Sequence, residues 1–82
     1  MAQVIWILKW TNGEKETIEV YKNGTSCVEA YKKLVKFCAN KHDAKLLKDY
    51  FDGEFKYYKA FIAFPNCEKM EIITAYHDIL RD

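Results

Sequence analysis

The 82-residue sequence is poor in the residues that build several common catalytic and ligand sites. None of its three glycines belongs to a G-x-G or G-K-[ST] motif, which excludes a glycine-rich phosphate loop. It has two histidines, and its acidic residues are scattered without a pair whose spacing assigns acid and base roles. We therefore expect a protein that is not an enzyme and that uses no cofactor.

Arginine is almost absent, because Arg81 is the one arginine among 13 basic residues. The bidentate hydrogen bonds usual in phosphate and guanine recognition are therefore nearly excluded. Twelve acidic residues balance the basic ones and leave a formal net charge of +1. Neither a strongly basic nucleic-acid binder nor an acidic DNA mimic is favoured by this balance.

Long apolar runs are missing as well. The run Val4–Leu8 stops at Lys9, which is too short for a signal peptide, and Ala60–Cys67 falls well short of the roughly 20 residues of a membrane span. The three cysteines are an odd number without paired spacing, which favours reduced thiols over a disulfide framework. We expect a cytoplasmic protein without a membrane partner.

The sequence does contain enough apolar residues for a packed core, since half of its residues are hydrophobic and 16% are aromatic. This composition is far from that of disordered chains. A chain of this length folds around one core. Residues 1–82 are therefore predicted to form a single compact domain.

The first two elements form a predicted hairpin, because apolar segments at 4–10 and 17–22 flank the turn residues Asn12 and Gly13. Two registers are open. A two-residue turn made of Asn12 and Gly13 places Ile5 and Ile7 on the same face as Ile18 and Val20, with Trp6 and Trp10 on the other. A three-residue loop instead puts Val4, Trp6 and Leu8 with Ile18 and Val20, and Lys9, Thr17, Glu19 and Tyr21 opposite. We favour the three-residue loop, because it separates apolar from polar side chains more cleanly.

Two helices are predicted next. Ser26 and Glu29 have the spacing of a capping box, and the residues that follow have apolar positions with helical periodicity. These positions are Cys27, Ala30, Tyr31, Leu34, Val35 and Cys38. The helix should end near residues 40–43, because a longer one would carry Lys41 into the core. A second, shorter helix fits residues 44–51.

The last part of the chain alternates again from Phe55 to Phe64, which predicts a third strand. The tail at 67–81 reads as a helix, because its apolar pattern extends to Leu80; a strand over residues 70–76 is the alternative. The predicted fold class is α+β, a small single-layer antiparallel sheet packed with helices. Its order is ββααβα, with ββααββ as the alternative.

Cysteine and histidine offer one candidate metal site. Cys38 and His42 are four residues apart, and Cys67 and His77 are further potential zinc ligands, but the spacing matches no standard finger. Cys27, in the first helical turn, lies on the apolar stripe and lacks a local histidine motif. We therefore expect buried thiols, no metal and no catalytic residue.

The strands carry the most informative surface residues. Lys9 and Lys59 lie in the middle of strands and cannot easily be buried unpaired, so their faces should reach solvent. The predicted partner-binding residues on this surface are Lys9, Tyr21, Tyr57, Lys59 and Phe61. The alternative is that the tail helix covers much of this surface, with the lysines extending past it.

These observations predict a non-catalytic protein-binding module, an inhibitor or accessory protein whose partner is another protein. Small size, missing motifs and preference for lysine are typical of phage and mobile-element products, including anti-defence proteins that block nuclease complexes. A homodimer is an open alternative. So is a small single-stranded nucleic-acid-binding protein, with weak binding through aromatic stacking and lysines.

Overall fold

The computed structural model describes residues 3–53, 56–67 and 69–80, which form an antiparallel five-stranded sheet with one α-helix. The order of strands across the sheet is β2-β1-β5-β4-β3. A short 3₁₀ turn, Pro65–Cys67, precedes the last strand. The elements in chain order are β1 (Gln3–Asn12), β2 (Lys15–Tyr21), α1 (Gly24–Ala39), β3 (Lys45–Asp52), β4 (Tyr57–Phe64) and β5 (Lys69–Leu80).

The predicted fold class was wrong, because the element order is ββαβββ. Residues 44–51 do not form a second helix; β3 occupies this region and pairs with β4. A β-bulge between Leu46 and Lys48 interrupts the alternation of β3. Leu47 and Phe51 are four residues apart in the sequence, a spacing that also suits one face of a helix. Pairing with β4 outweighs this short local signal.

The tail was also predicted wrongly, because β5 is the central strand and lies between β1 and β4. Its pairing with β1 runs from Gln3↔Leu80 to Asn12↔Glu71, which accounts for its unusual length. Both faces of β5 carry apolar residues. Ile73 is buried in the core, and Ile72 lines a depression on the opposite face. A strand of this kind lacks the simple alternation that identifies strands with one polar face.

The hairpin contains a two-residue connection, since Asn12 pairs with Lys15. Gly13 has a φ of 61°, a left-handed conformation that glycine adopts without strain. Ile7 lies opposite Val20, so the favoured three-residue loop was wrong. The two-residue alternative assigned the faces correctly, but the turn residues are Gly13 and Glu14 and not Asn12 and Gly13. The criterion of one apolar and one polar face fails because both faces of β1 carry apolar side chains.

The N-cap of the helix α1 lies three residues before Ser26, the N-cap of the predicted capping box. Asn23 is its N-cap and accepts a hydrogen bond from the Thr25 backbone N–H at 2.8 Å. The prediction of its buried stripe is confirmed at four positions, Cys27, Tyr31, Val35 and Cys38.

One face of the sheet packs against α1 and forms the core with it. The sheet contributes these buried apolar side chains: Leu8, Ala60, Ile62, Ile73 and Ala75. Tyr31 connects the helix to the sheet edge by donating a hydrogen bond to the Asp49 carboxylate at 2.8 Å. No helix in the described part of the chain has both the length and the apolar character needed to cross a membrane.

Candidate functional site: the open face of the sheet

The face of the sheet opposite α1 has no helix packed on it within the described residues. We call it the open face. Side chains alternate along each strand, so the register identifies its members. They are Gln3, Ile5, Ile7, Lys9 and Thr11 on β1; Glu16, Ile18 and Val20 on β2; Lys45, Lys48, Tyr50 and Asp52 on β3; Tyr57, Lys59, Phe61 and Ala63 on β4; and Met70, Ile72, Thr74, Tyr76 and Asp78 on β5.

Three tyrosines form a row across one half of the open face. The ring centroids of Tyr50 and Tyr57 are 6.4 Å apart, and those of Tyr57 and Tyr76 are 6.3 Å apart. Tyr50 donates a hydrogen bond to the Asp52 carboxylate at 3.3 Å, and the charge of Asp52 raises the pKa of Tyr50. The row therefore presents aromatic area together with a neutral hydroxyl group.

Two lysines lie beside the tyrosines near the centre of the sheet. Lys59 on β4 and Lys9 on β1 both face Thr74, which separates them on β5. The Lys9 ammonium is 2.7 Å from a Glu16 oxygen, and the Lys59 ammonium is 5.3 Å from the centroid of the Phe61 ring. A depression of about 370 Å³ is lined by Lys9, Thr11, Tyr57, Lys59, Ile72, Thr74 and Tyr76.

The other half of the open face is aliphatic. Val20 and Ile18 on the edge strand β2 are 61% and 57% exposed. They lie opposite Ile7 and Lys9 of β1. The aliphatic side chains and the tyrosine row thus form one continuous, largely apolar surface on the open face.

Charges of both signs are interspersed on the open face. Its strand positions carry four lysines and three carboxylates, so the local balance stays close to neutral. The lysines are Lys9, Lys45, Lys48 and Lys59, and the carboxylates are Glu16, Asp52 and Asp78. These strand positions therefore sum to a small formal charge, unlike the strongly basic surfaces of many nucleic-acid binders.

Four of the five predicted partner-binding residues lie together on the open face: Lys9, Tyr57, Lys59 and Phe61. Tyr21 lies on the opposite face, because it pairs with Trp6 and packs against the core. The hydrogen bond that Tyr21 donates to Glu19 raises the pKa of Tyr21 to about 12. The grouping of Tyr21 with the others came from the wrong hairpin register.

Sequence reasoning missed Tyr50 and Tyr76 as members of this surface. Both belong to segments that were predicted as helices but form β3 and β5. The alternation of Ile72, Thr74 and Tyr76 was a usable signal, and it fits the strand alternative for the tail.

The candidate reactive groups do not come together in the described residues. Cys27 and Cys38 are fully buried, and burial raises the pKa of each thiol to about 11. Such thiols are poor nucleophiles and metal ligands near neutral pH. The His42 side chain is 96% exposed, so it does not join Cys38, and the side chain of Cys67 lies outside the described part.

His77 is exposed and its ring lies 5.3 Å from that of Trp6, on the α1 side of the sheet. Across residues 3–53, 56–67 and 69–80, no three histidine, cysteine or acidic side chains group so as to hold a metal ion. The chain matches no family model, no curated protein and no solved structure.

Proposed function

We propose that this chain is a non-catalytic protein-binding module that uses its open face to cover a surface of another protein. The uncovered row of Tyr50, Tyr57 and Tyr76 carries this proposal. Tyrosine rings add large contact area with little loss of side-chain entropy, and aromatic residues are enriched at the centres of protein interfaces. The aliphatic half beside the row extends the same apolar surface.

The charge pattern of the open face favours a protein partner over a nucleic acid. Binding to single strands combines stacking with a positive groove that follows the phosphates. Here Lys9 is already paired with Glu16, and Asp52 lies beside Tyr50. Aliphatic side chains such as Ile18 and Val20 exclude water from a protein interface but offer no aromatic plane for stacking.

We further propose that the module acts as an inhibitor or accessory protein of the phage or mobile-element type, such as an anti-defence protein that blocks a nuclease complex. Inhibition by occlusion requires a surface and no reactive group, and the open face supplies such a surface. The direct test measures DNA or RNA cleavage by defence nuclease complexes of the host. We expect inhibition by the wild-type chain that is lost when the open face is changed.

A matched pair of double variants tests the surface itself. Lys59→Glu with Phe61→Ala alters the open face. Lys33→Glu with Phe51→Ala makes the same chemical changes on α1 and on the α1 side of β3. We expect the open-face variant to capture its partner from host lysate with an affinity about tenfold lower or worse, while the control retains it. Equal capture of the same partners by two folded variants would refute the proposed surface.

Single-stranded nucleic-acid binding is the second candidate, because Lys9 and Lys59 lie on the same face as the tyrosines. A titration of labelled single-stranded and duplex oligonucleotides at several salt concentrations tests it. Binding through phosphates weakens steeply as salt rises. Salt-sensitive binding that is lost in the Lys59→Glu, Phe61→Ala variant would favour this candidate over a protein partner.

A further inference from the structure

The ammonium group of Lys41 lies inside a cluster of aromatic rings on the α1 side of the sheet. Its Nζ is 5.1 Å from the Trp10 ring centroid, 5.4 Å from that of Phe37 and 6.0 Å from that of Phe64. The same Nζ donates to the two carboxylate oxygens of Glu71 at 3.1 and 3.3 Å. Three secondary-structure elements besides the central strand therefore converge on one cation.

Glu71 supplies the negative charge of this cluster. It lies on the central strand β5 and is 2% exposed, so its carboxylate is removed from water. Trp10 donates its indole N–H to Glu71 Oε1 at 3.2 Å, which adds a second partner besides Lys41. A buried carboxylate is tolerated when its oxygens are paired in this way.

Aromatic faces around a carboxylate are the features with which proteins recognise organic cations. The rings attract the positive charge and contact the alkyl groups next to it, while the carboxylate accepts the N–H bonds. We propose that Trp10, Phe37, Phe64 and Glu71 form an alkylammonium-binding site, which Lys41 of the same chain occupies in this structure. We call this site the ammonium cage.

The ammonium cage is accessible from solvent. The Lys41 side chain is 32% exposed, and a cleft of about 180 Å³ adjoins it. Asn12, Phe64, Lys69 and Glu71 line this cleft together with Lys41. A small alkylammonium ion can therefore reach Glu71 once the lysine side chain is removed. The cage does not depend on the proposed function, because it lies on the opposite side of the sheet from the open face.

Removing the lysine and supplying its side chain as a separate molecule tests the proposal. We expect Lys41→Ala to lower the melting temperature by roughly 10 °C, because the buried Glu71 carboxyl group loses both hydrogen bonds from Lys41. n-Butylammonium, which reproduces the lysine side chain, should restore it saturably with a midpoint on the order of millimolar. The matched control is Lys36→Ala, which removes an exposed lysine from the last turn of α1.

Three comparisons can overturn the proposal. 1-Butanol has the same alkyl chain without the charge and should give no saturable stabilisation. The double variant Lys41→Ala with Glu71→Gln should not respond to n-butylammonium, because the buried charge is gone. An equal response of Lys36→Ala, of the double variant or with 1-butanol would show a non-specific effect and would refute the cage.

A measurement on the wild-type chain covers the case in which Lys41→Ala does not fold. Protons above aromatic rings resonate upfield, so the ε-methylene protons of Lys41 should appear upfield of those of Lys36 in the same spectrum. The upfield shift should become smaller in Phe64→Leu, which removes one of the three rings and keeps an apolar side chain, while the nearer Trp10 and Phe37 rings remain. Lys41 and Lys36 resonances at the same position would refute the cage.

Discussion

Tyr57 and Tyr76 lie side by side on the open face, with ring centroids 6.3 Å apart, because β4 and β5 pair in antiparallel register. Tyr57 belongs to β4, which the alternation of the sequence predicts, whereas Tyr76 belongs to β5, in the tail that was predicted as a helix. The contact between them connects these two parts of the open face. It also places an aromatic pair at the edge of the depression that contains Lys9 and Lys59.

The first prediction concerns this tyrosine pair. Tyr76→Ala should weaken binding of the captured partner by about 2 kcal/mol, because interface tyrosines are frequent hot spots. Its effect on stability should stay near 1 kcal/mol, since the ring is half-buried. Tyr21→Ala removes an equally half-buried ring from the opposite face and should leave the affinity unchanged. Calorimetric titration and urea unfolding measure the two quantities; an affinity loss in Tyr21→Ala alone would contradict the assignment of faces.

The second prediction concerns the start of α1. A Cβ atom at Gly24 would lie 2.5 Å from Cε2 of Trp6, so Gly24→Ala forces the indole out of its position. We expect a loss of about 1–3 kcal/mol in urea unfolding. Gly53→Ala is the control, because its Cβ would meet Phe51 at an ordinary 3.5 Å. Equal stabilities of the two variants would show that Trp6 does not pack against the helix start.

The third prediction concerns alkaline pH. Burial raises the pKa of Cys27 and of Cys38 to about 11, from an ordinary value of 9.0. Between these values the unfolded chain loses thiol protons that the folded chain keeps. Stability should therefore be full below pH 9 and decrease as the pH rises from 9 to 11, as measured by urea unfolding across that range. The decrease should be smaller in Cys27→Ala; an unchanged pH profile in that variant would contradict the assignment to the thiol.

The fourth prediction concerns the hydrogen bond between Tyr31 and Asp49, which is 2.8 Å long. Tyr31→Phe should cost about 1 kcal/mol in urea unfolding, because it removes a partly buried hydrogen bond and keeps the ring. Tyr50→Phe is the control, since its bond to Asp52 is exposed and 3.3 Å long, and it should change stability little. A cost as small in Tyr31→Phe as in the control would mean that this bond does not help hold β3 to α1.

Much of the candidate site was predictable from alternation alone. Tyr57, Lys59 and Phe61 share a face in any strand that spans them, and β4 covers all three. Lys9 joins them because it alternates with the buried Leu8. Tyr21 could not be placed in this way, because its face depends on the hairpin register. The sequence does not show whether the hairpin has apolar side chains on one face or on both.

Local sequence patterns were sufficient to predict three features: the presence of the hairpin, the buried stripe from Cys27 to Cys38 and the alternation of β4. The strands at 45–52 and 69–80 depend on tertiary contacts. Their apolar spacing suits a helix as well as a strand, and the hydrogen bonds to neighbouring strands favour the strand. The pairing of Lys41 with Glu71 depends on tertiary structure as well. The sequence predicts that Lys41 lies near the end of a helix, but it does not indicate that the folded chain brings Lys41 next to Glu71.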